Sequence, residues 1–366
     1  MWASTMRGHA AAGGVRAHAD SWAGVSGAGV IGRERREAFE RASLAEGACL
    51  ADGAGRRPLA ESPDPIRTCF ERDRDRIVHS PAFRRLAGKT QVVVFPRDHQ
   101  RTRLTHALEV AQVATAIARG VGANATLTEA IALGHDCGHG PGGHASEDAF
   151  SPFIPGGYDH GPWGADVVLT PLNLCQETSD GIRNHSWSRP APATVEGEIV
   201  SWADRIAYCA HDLEDALHAG IVTLKDLPAA VVAQAGQRRS AQLASFISAA
   251  VDSTVASGVV SMTGDAAEAL AALRQFNYDR IYMRPESIAQ SDAVIAVLRG
   301  LVEWYIDHPG SLPGDELDEL NNDPAARPRW AVTYVAGMTD RFAFDQAESL
   351  LGWDPARIPQ SIGRGA

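Results

Sequence analysis

Ile199, Ala203, Ile206, Ala210, Leu213 and Leu217 recur at intervals of three and four residues. That spacing puts them on one face of an α-helix running from Glu196 to about Ala219. A second stripe on the same segment, Asp204, Tyr208, His211 or Asp212, and Asp215, is polar. The same period governs most of the chain. Helices are expected over Arg33 to about Leu50, Thr105 to Arg119 and Leu127 to about Asp136, where Thr126-x-x-Glu129 reads as a capping box. Others are expected over Leu227–Ala235, Gln237–Ser257, Asp265–Phe276, Ser287–Tyr305 and Ala331–Leu351. The one good strand signal before the C-terminal third is Gln91–Pro96, a β-branched run stopped by proline. No βαβ pattern with a glycine fingerprint and no P-loop is visible. The expectation is an all-α protein with at most a short β-hairpin. Residues 1–60 form a partly disordered N-terminal extension, in which Met6 is a second candidate start, and the ordered core begins near Pro65.

The densest chemistry lies between Gly134 and Glu147. These fourteen residues hold three histidines, two carboxylates and five glycines. His135 and Asp136 offer a metal an imidazole and a carboxylate side by side. The glycines end the preceding helix and bend the chain, which leaves His139, His144 and Glu147 near that pair. Residues 137–193 are loop-rich and carry further polar islands at Tyr158-Asp159-His160 and Asn184-His185. His106 sits in the first turn of its helix, where a packed or capping role competes with metal ligation. Pattern alone leaves Asp204 open between ligand and ordinary polar face.

Charge narrows the partners. The 366 residues carry a formal net charge of −11, which argues against general nucleic-acid binding. Yet Arg84, Arg85, Lys89, Arg101 and Arg103 cluster with few acids nearby in sequence, which suggests an anionic ligand such as phosphate. Arg72–Arg76 alternates with acids and reads as a salt-bridged helix face. Five scattered cysteines without a Cys-x-x-Cys pair fit free thiols in a reducing cytoplasm, and no apolar run approaches a membrane span.

Taken together, His106, His135-Asp136 and Asp204 follow the order His…His-Asp…Asp. The segments Ser80–Gln91 (SPAFRRLAGKTQ), Arg101–Gln112 (RTRLTHALEVAQ), Glu129–Asp136 (EAIALGHD), Gly138–Glu147, Ala203–Asp212 and Ala336–Arg341 (AGMTDR) resemble the HD superfamily of metal-dependent phosphohydrolases. They are most similar to its deoxynucleoside triphosphate triphosphohydrolase, or dGTPase, family. The similarity spans roughly residues 63–345. It implies an HD-domain helical fold with an HD core at about 101–220 and a C-terminal helical region at about 221–366.

The resemblance further implies that His106, His135, Asp136 and Asp204 hold a divalent metal ion: Mn²⁺, Mg²⁺, Fe²⁺ or Co²⁺. His144 is then the candidate acid/base, oriented by Glu147. His139 and His160 contact phosphates, and Arg103 supplies positive charge to the triphosphate. Tyr208 and Asp212 form the deoxyribose pocket, with Gln91 facing sugar or base. The implied partners are a dNTP substrate, an activating nucleotide and further copies of the chain, in even number. Two features depart from the family's usual text: Gly161 follows His160 where asparagine is frequent, and Gly140–Gly143 is richer in glycine. Two other readings stay open: an HD hydrolase acting on a mono- or cyclic nucleotide, and a low-turnover dNTP sensor.

Overall fold

The computed structural model describes residues 6–27, 29–92, 100–313 and 324–357. Within them it is an all-α protein of fifteen α-helices joined by short 3-10 and π turns. The two described strands, β1 (His9–Ala11) and β2 (Gly14–Arg16), pair as an antiparallel hairpin near the amino terminus. No described helix is long and apolar enough to cross a membrane.

After the hairpin come α1 (Arg33–Ser43), α2 (Cys69–His79) and α3 (Pro81–Arg85). Next are α4 (Arg103–Val121), α5 (Ala125–Gly134), α6 (Ala145–Phe150), α7 (His160–Trp163), α8 (Gln176–Asn184) and α9 (Val195–His218). The chain continues through α10 (Ala229–Ala235), α11 (Arg239–Ser257), α12 (Gly264–Asn277) and α13 (Pro285–Asp307). It ends with α14 (Arg327–Ala336) and α15 (Asp340–Leu351).

Helices α4, α5 and α9 pack on one another, with α2 against α5 and α11 against α4 and α9. Their apolar faces merge into one core that includes Ile77, Val110, Ile131, Ile206 and Phe246. A second apolar cluster joins α6, α13, α14 and α15 through Phe150, Val294, Leu298, Val332 and Phe344.

Several local expectations give way to tertiary context. Residues 33–60 are woven into the body ahead of Pro65. Ala51 is buried, and buried Glu196 of α9 accepts from the backbone N–H groups of Cys49 and Asn124. The basic stretch after Pro65 contains α2, whose capping box pairs Thr68 with Glu71. Its Arg72 and Arg76 both reach Glu61, a partner outside the helix. The N-cap of α5 is Asn124, whose side chain accepts from the Thr126 and Leu127 N–H groups, so the box expected at Thr126 does not form. The helix expected over Ala331–Leu351 is two, broken at Gly337 and restarted under the Thr339 cap. The loop-rich segment 137–193 contains α6, α7 and α8. Of the strand expected at Gln91–Pro96, Val93–Pro96 lie outside the described residues. Gln91 and Val92 form a bend, and the adjacent Thr90 bridges to Thr102.

One buried ion pair locks this arrangement. Arg57 bonds Asp73 at 2.6 Å with both side chains almost fully enclosed, and Asp73 also accepts from Cys175 N–H and the Thr178 hydroxyl. Asp73→Ala strands the guanidinium without a counter-charge. The expected loss is about 3–5 kcal/mol, read as a lowered denaturation midpoint. A variant unfolding with wild-type stability would show that the pair is dispensable.

Candidate active site

Helix α4 begins at the Thr102 cap and presents Arg103 and His106 from its first turn. Helix α5 ends at Gly134, where His135 takes the cap position with helical φ and ψ. There its Nδ1 meets the Ala132 carbonyl at 2.7 Å. That bond fixes the ring proton on Nδ1 and turns Nε2 inward as an acceptor. Gly138 lets the next segment close in: a Cβ there would stand 2.0 Å from the His160 carbonyl oxygen and 2.4 Å from Gly164 N. Gly142 has φ of +72°, and a Cβ would stand 2.4 Å from Val294 Cγ1. These two glycines therefore permit the approach of α7 and α13 that no other residue would.

The four sequence-predicted donors come together. His106 Nε2 is 3.0 Å from Asp204 Oδ1 and 3.8 Å from Asp136 Oδ2. His135 Nε2 is 3.4 Å from Asp136 Oδ1 and 3.7 Å from Asp204 Oδ1. The ligand atoms of His106, His135 and Asp136 lie within 4.8 Å of one another, and Asp204 joins them through the two imidazoles.

His135 Nε2 is buried without a hydrogen-bond partner among the described residues and faces two carboxylate oxygens. Acceptor facing acceptor repels, whereas a cation between them satisfies every one. Ligands about 2.1 Å from a common ion are about 3.0 Å apart at right angles and up to about 4.2 Å apart when opposed. All four measured separations fall in that interval. The residues present therefore fit a divalent metal ion.

Electrostatics agree with the geometry. Burial would raise the Asp136 carboxyl, but Arg103, His135 and His139 hold it well below the usual carboxylate range. Burial likewise opposes ionisation of Asp204, and the His106 bond overrides it. Arg103 donates from Nη1 to Asp136 at 2.7 Å and from Nε to the Thr90 carbonyl at 3.0 Å.

The other expected residues gather beside this donor set. Glu147 is bonded to His160 Nδ1 at 2.5 Å and stands 3.6 Å from His144 Nδ1. His144 is 73% exposed at the amino end of α6, so the inward-reaching carboxylate meets His160 first. His139 stacks on His160 with ring centroids 3.7 Å apart and stands 3.2 Å from Asp136.

The expected anion cluster does not form. Arg101 is spent on Glu109, Glu214 and Asp215. Lys89 is buried and donates to the carbonyls of His139 and Ala336, and burial pushes its ammonium down to about 7. Arg84 is exposed, and of the five only Arg103 lines the cavity.

That cavity holds about 520 Å³. Gln91, Arg103, His106, Asp136, His139, His144, His160, Asp204, Tyr208 and Asp212 line it. Trp187, Arg205, Arg274, Tyr278, Tyr282 and Val294 also line it. Arg274 donates to the Tyr208 hydroxyl at 2.9 Å, and Tyr282 donates to Asp212 at 2.5 Å. His185, unassigned from sequence, is also in the wall, its Nε2 3.0 Å from that of His160. The polar islands at Asn184-His185 and Asn277–Tyr282 were visible in the sequence as islands, but not what they face.

Comparison with known proteins is consistent with this site. The HD domain model matches residues 103–209, and the phosphohydrolase-associated domain model matches residues 260–349. A deoxyguanosinetriphosphate triphosphohydrolase-like protein of Caldanaerobacter subterraneus subsp. tengcongensis is 38% identical over 320 residues, covering 85% of this chain and 93% of that protein. The chain belongs to the dGTPase-like family of HD phosphohydrolases. Another dGTPase-like protein, from Clostridium perfringens, is 38% identical over 330 residues, covering 86% of this chain and 96% of its own length. A third, from Desulfatibacillum aliphaticivorans, is 36% identical over 343 residues, covering 87% and 97%. As a member of the dGTPase-like family, the protein is a metal-dependent phosphohydrolase of the HD type.

Burial raises the Asp212 carboxyl to about 7, against the opposing Tyr282 hydrogen bond and His106. A carboxyl raised in the fold stabilises most below its unfolded pKa of about 4, and that contribution is lost as pH climbs toward 7. Asp212→Asn cannot ionise. Relative to wild type it should gain roughly 3–4 kcal/mol between about pH 4 and pH 8, measured by chemical denaturation at both ends. A constant difference across that range would mean that Asp212 is ionised in the fold throughout.

Proposed function

We propose that this chain hydrolyses deoxynucleoside triphosphates to deoxynucleoside and tripolyphosphate. The observation that carries the reading is one cavity lined by the metal donors His106, Asp136 and Asp204 and by Tyr208 and Asp212, with His135 Nε2 3.4 Å from Asp136. The triphosphohydrolase names of relatives covering most of the chain support it.

In this reading His106, His135, Asp136 and Asp204 hold Mn²⁺, Mg²⁺, Fe²⁺ or Co²⁺. The two carboxylates neutralise the ion's charge. A divalent cation there supplies Lewis-acid polarisation of a phosphate oxygen.

The chain's own groups do the rest. Arg103, His139 and His160 face the phosphates, with Arg103 held in place by Asp136 and Thr90. Water adds at the α-phosphorus, and the bond to the 5′ oxygen breaks. His144, at the cavity mouth, gives that oxygen its proton, and Glu147 compensates the charge on both His160 and His144. The Tyr208 ring lies against the deoxyribose, held by Arg274, and penalises a 2′-hydroxyl. Asp212, bonded to Tyr282, closes the sugar pocket. Gln91 faces sugar or base. A second nucleotide as activator and assembly into an even-numbered oligomer complete the proposal.

The test is a hydrolysis assay with each dNTP, alone and mixed, in Mg²⁺ or Mn²⁺, and separation of products by ion exchange. Deoxynucleoside with tripolyphosphate is expected. Orthophosphate or pyrophosphate would overturn the cleavage position and point to another nucleotide. Binding without any product would favour a sensor.

His144→Ala should keep its metal and lose on the order of 10²- to 10⁴-fold in turnover. A fully active variant would remove His144 from the mechanism. His135→Ala should lose metal and turnover together.

A further inference from the structure

Cys69 and Cys175 lie far apart in sequence, and the fold brings them together. Cys69 is the first residue of α2, and Cys175 is the cap that precedes α8. One guanidinium ties the two segments: Arg57 donates to the Cys69 carbonyl at 3.0 Å and to the Asn173 carbonyl at 2.6 Å. Asp73, one turn into α2 from Cys69, accepts from Cys175 N–H at 2.8 Å. The sulfurs meet beneath Gly55. A Cβ at that position would stand 2.4 Å from Cys175 Sγ and 3.3 Å from Cys69 Sγ, so both sulfurs lie against one point. The two thiols are hydrogen-bonded to each other, and both residues are free and buried.

Their surroundings make the pair unequal. The Cys175 thiol donates to Cys69 and holds it below the ordinary thiol value against burial and Asp73, with help from Asp52 N–H and Arg57. A sulfur at a helix amino terminus beside an arginine is the usual setting of a reactive thiolate. The same bond, together with burial, raises Cys175 and keeps its proton in place. One sulfur is thus prepared as a nucleophile, with a second thiol in reach to resolve what it forms. Two thiols packed only as small apolar groups would need no such donors. Their cover is thin: Gly55 is half-buried and has no side chain, and Asp52 and Arg56 near it are exposed. Such an enclosure admits a small oxidant. Helices α2 and α8 both pack on α5, the helix that ends at His135.

We propose that Cys69 and Cys175 form a redox-active dithiol that hydrogen peroxide closes to a disulfide, clamping α2 to α8 around α5. The Cys69 thiolate attacks one peroxide oxygen, the O–O bond breaks, and hydroxide leaves a sulfenic acid behind. The Cys175 sulfur gives up its proton and attacks the Cys69 sulfur, and the S–O bond breaks with loss of water. Two thiols lose two electrons and two protons in all, and one peroxide becomes two waters. A dithiol reductant reverses the step.

The experiment uses the full chain, reduced, desalted, treated with hydrogen peroxide, then denatured and alkylated with N-ethylmaleimide. Intact mass counts the free thiols, and digestion without reduction locates any bond. All five cysteines should be alkylated before peroxide. Afterwards the Cys69 and Cys175 peptides should be joined and the other three alkylated, with full recovery after dithiothreitol. The oxidised chain should unfold at a higher denaturant concentration than the reduced one, because the bond closes a loop of about a hundred residues. In Cys175→Ser, dimedone should capture a sulfenic acid at Cys69; Cys175→Ala replaces that variant if it does not fold. Five free thiols after peroxide, or a bond drawn from Cys49, Cys137 or Cys209, would overturn the proposal. Dimedone on another cysteine would remove Cys69 as the attacking sulfur, and an unmoved or lower unfolding midpoint would overturn the clamp.

Discussion

Asp136 is a buried carboxylate within 3.8 Å of four imidazoles, and its ion pair with Arg103 makes that position tenable. An unpaired carboxylate taken out of water costs several kcal/mol or takes up a proton. Arg103 keeps it ionised, and the histidines can then turn lone pairs toward a shared centre. The same guanidinium reaches the Thr90 carbonyl. Thr90 in turn donates from its N–H and hydroxyl to Asp340, which also accepts from Gly142 N–H at 2.9 Å. A continuous polar chain thus runs from the donor set, through the bend after α3, to the start of α15. It crosses from one apolar cluster to the other without leaving the protein interior.

The long helices were legible because their apolar positions repeat at the helical period, and α9 and α12 differ from expectation by one residue at each end. What was hidden in the sequence depends on partners far along the chain. Arg72–Arg76 of helix α2 read as a face paired with its own acids, since Arg57 and Glu61, which lie before it, give no sign of folding back on it. The break at Gly337 interrupts a good helical pattern because it lets Asp340 turn toward Thr90 and Gly142. The amino-terminal cap of α5 went to Asn124, a stronger capping residue than Thr126 and one already anchored to Cys49 and Glu196.

The site shows the same division. His135-Asp136 and its glycine-rich surroundings announce metal chemistry by density alone, and the remote His106 and Asp204 needed family likeness to be picked out. Arg101 and Lys89 misled because their neutralising groups, Asp215 and two backbone carbonyls, are invisible at short range. The spacing of His144 and Glu147 suggested a pair, and they stand 3.6 Å apart; what the spacing did not show is that the same carboxylate also meets His160. His185 showed only as part of a polar island, because its orientation comes from a carbonyl.

The cavity lies on the seam between the two apolar clusters. Every metal-donor side chain comes from residues 106–204, whereas Arg274, Tyr278, Tyr282 and Val294 of the lining come from the later part of the chain. Reactive centre and available room are thus written in separate parts of the chain. Substitutions after residue 260 can reshape what fits without disturbing a single donor atom. A lineage that keeps the first part and varies the second would retain its chemistry while its preference among molecules drifts.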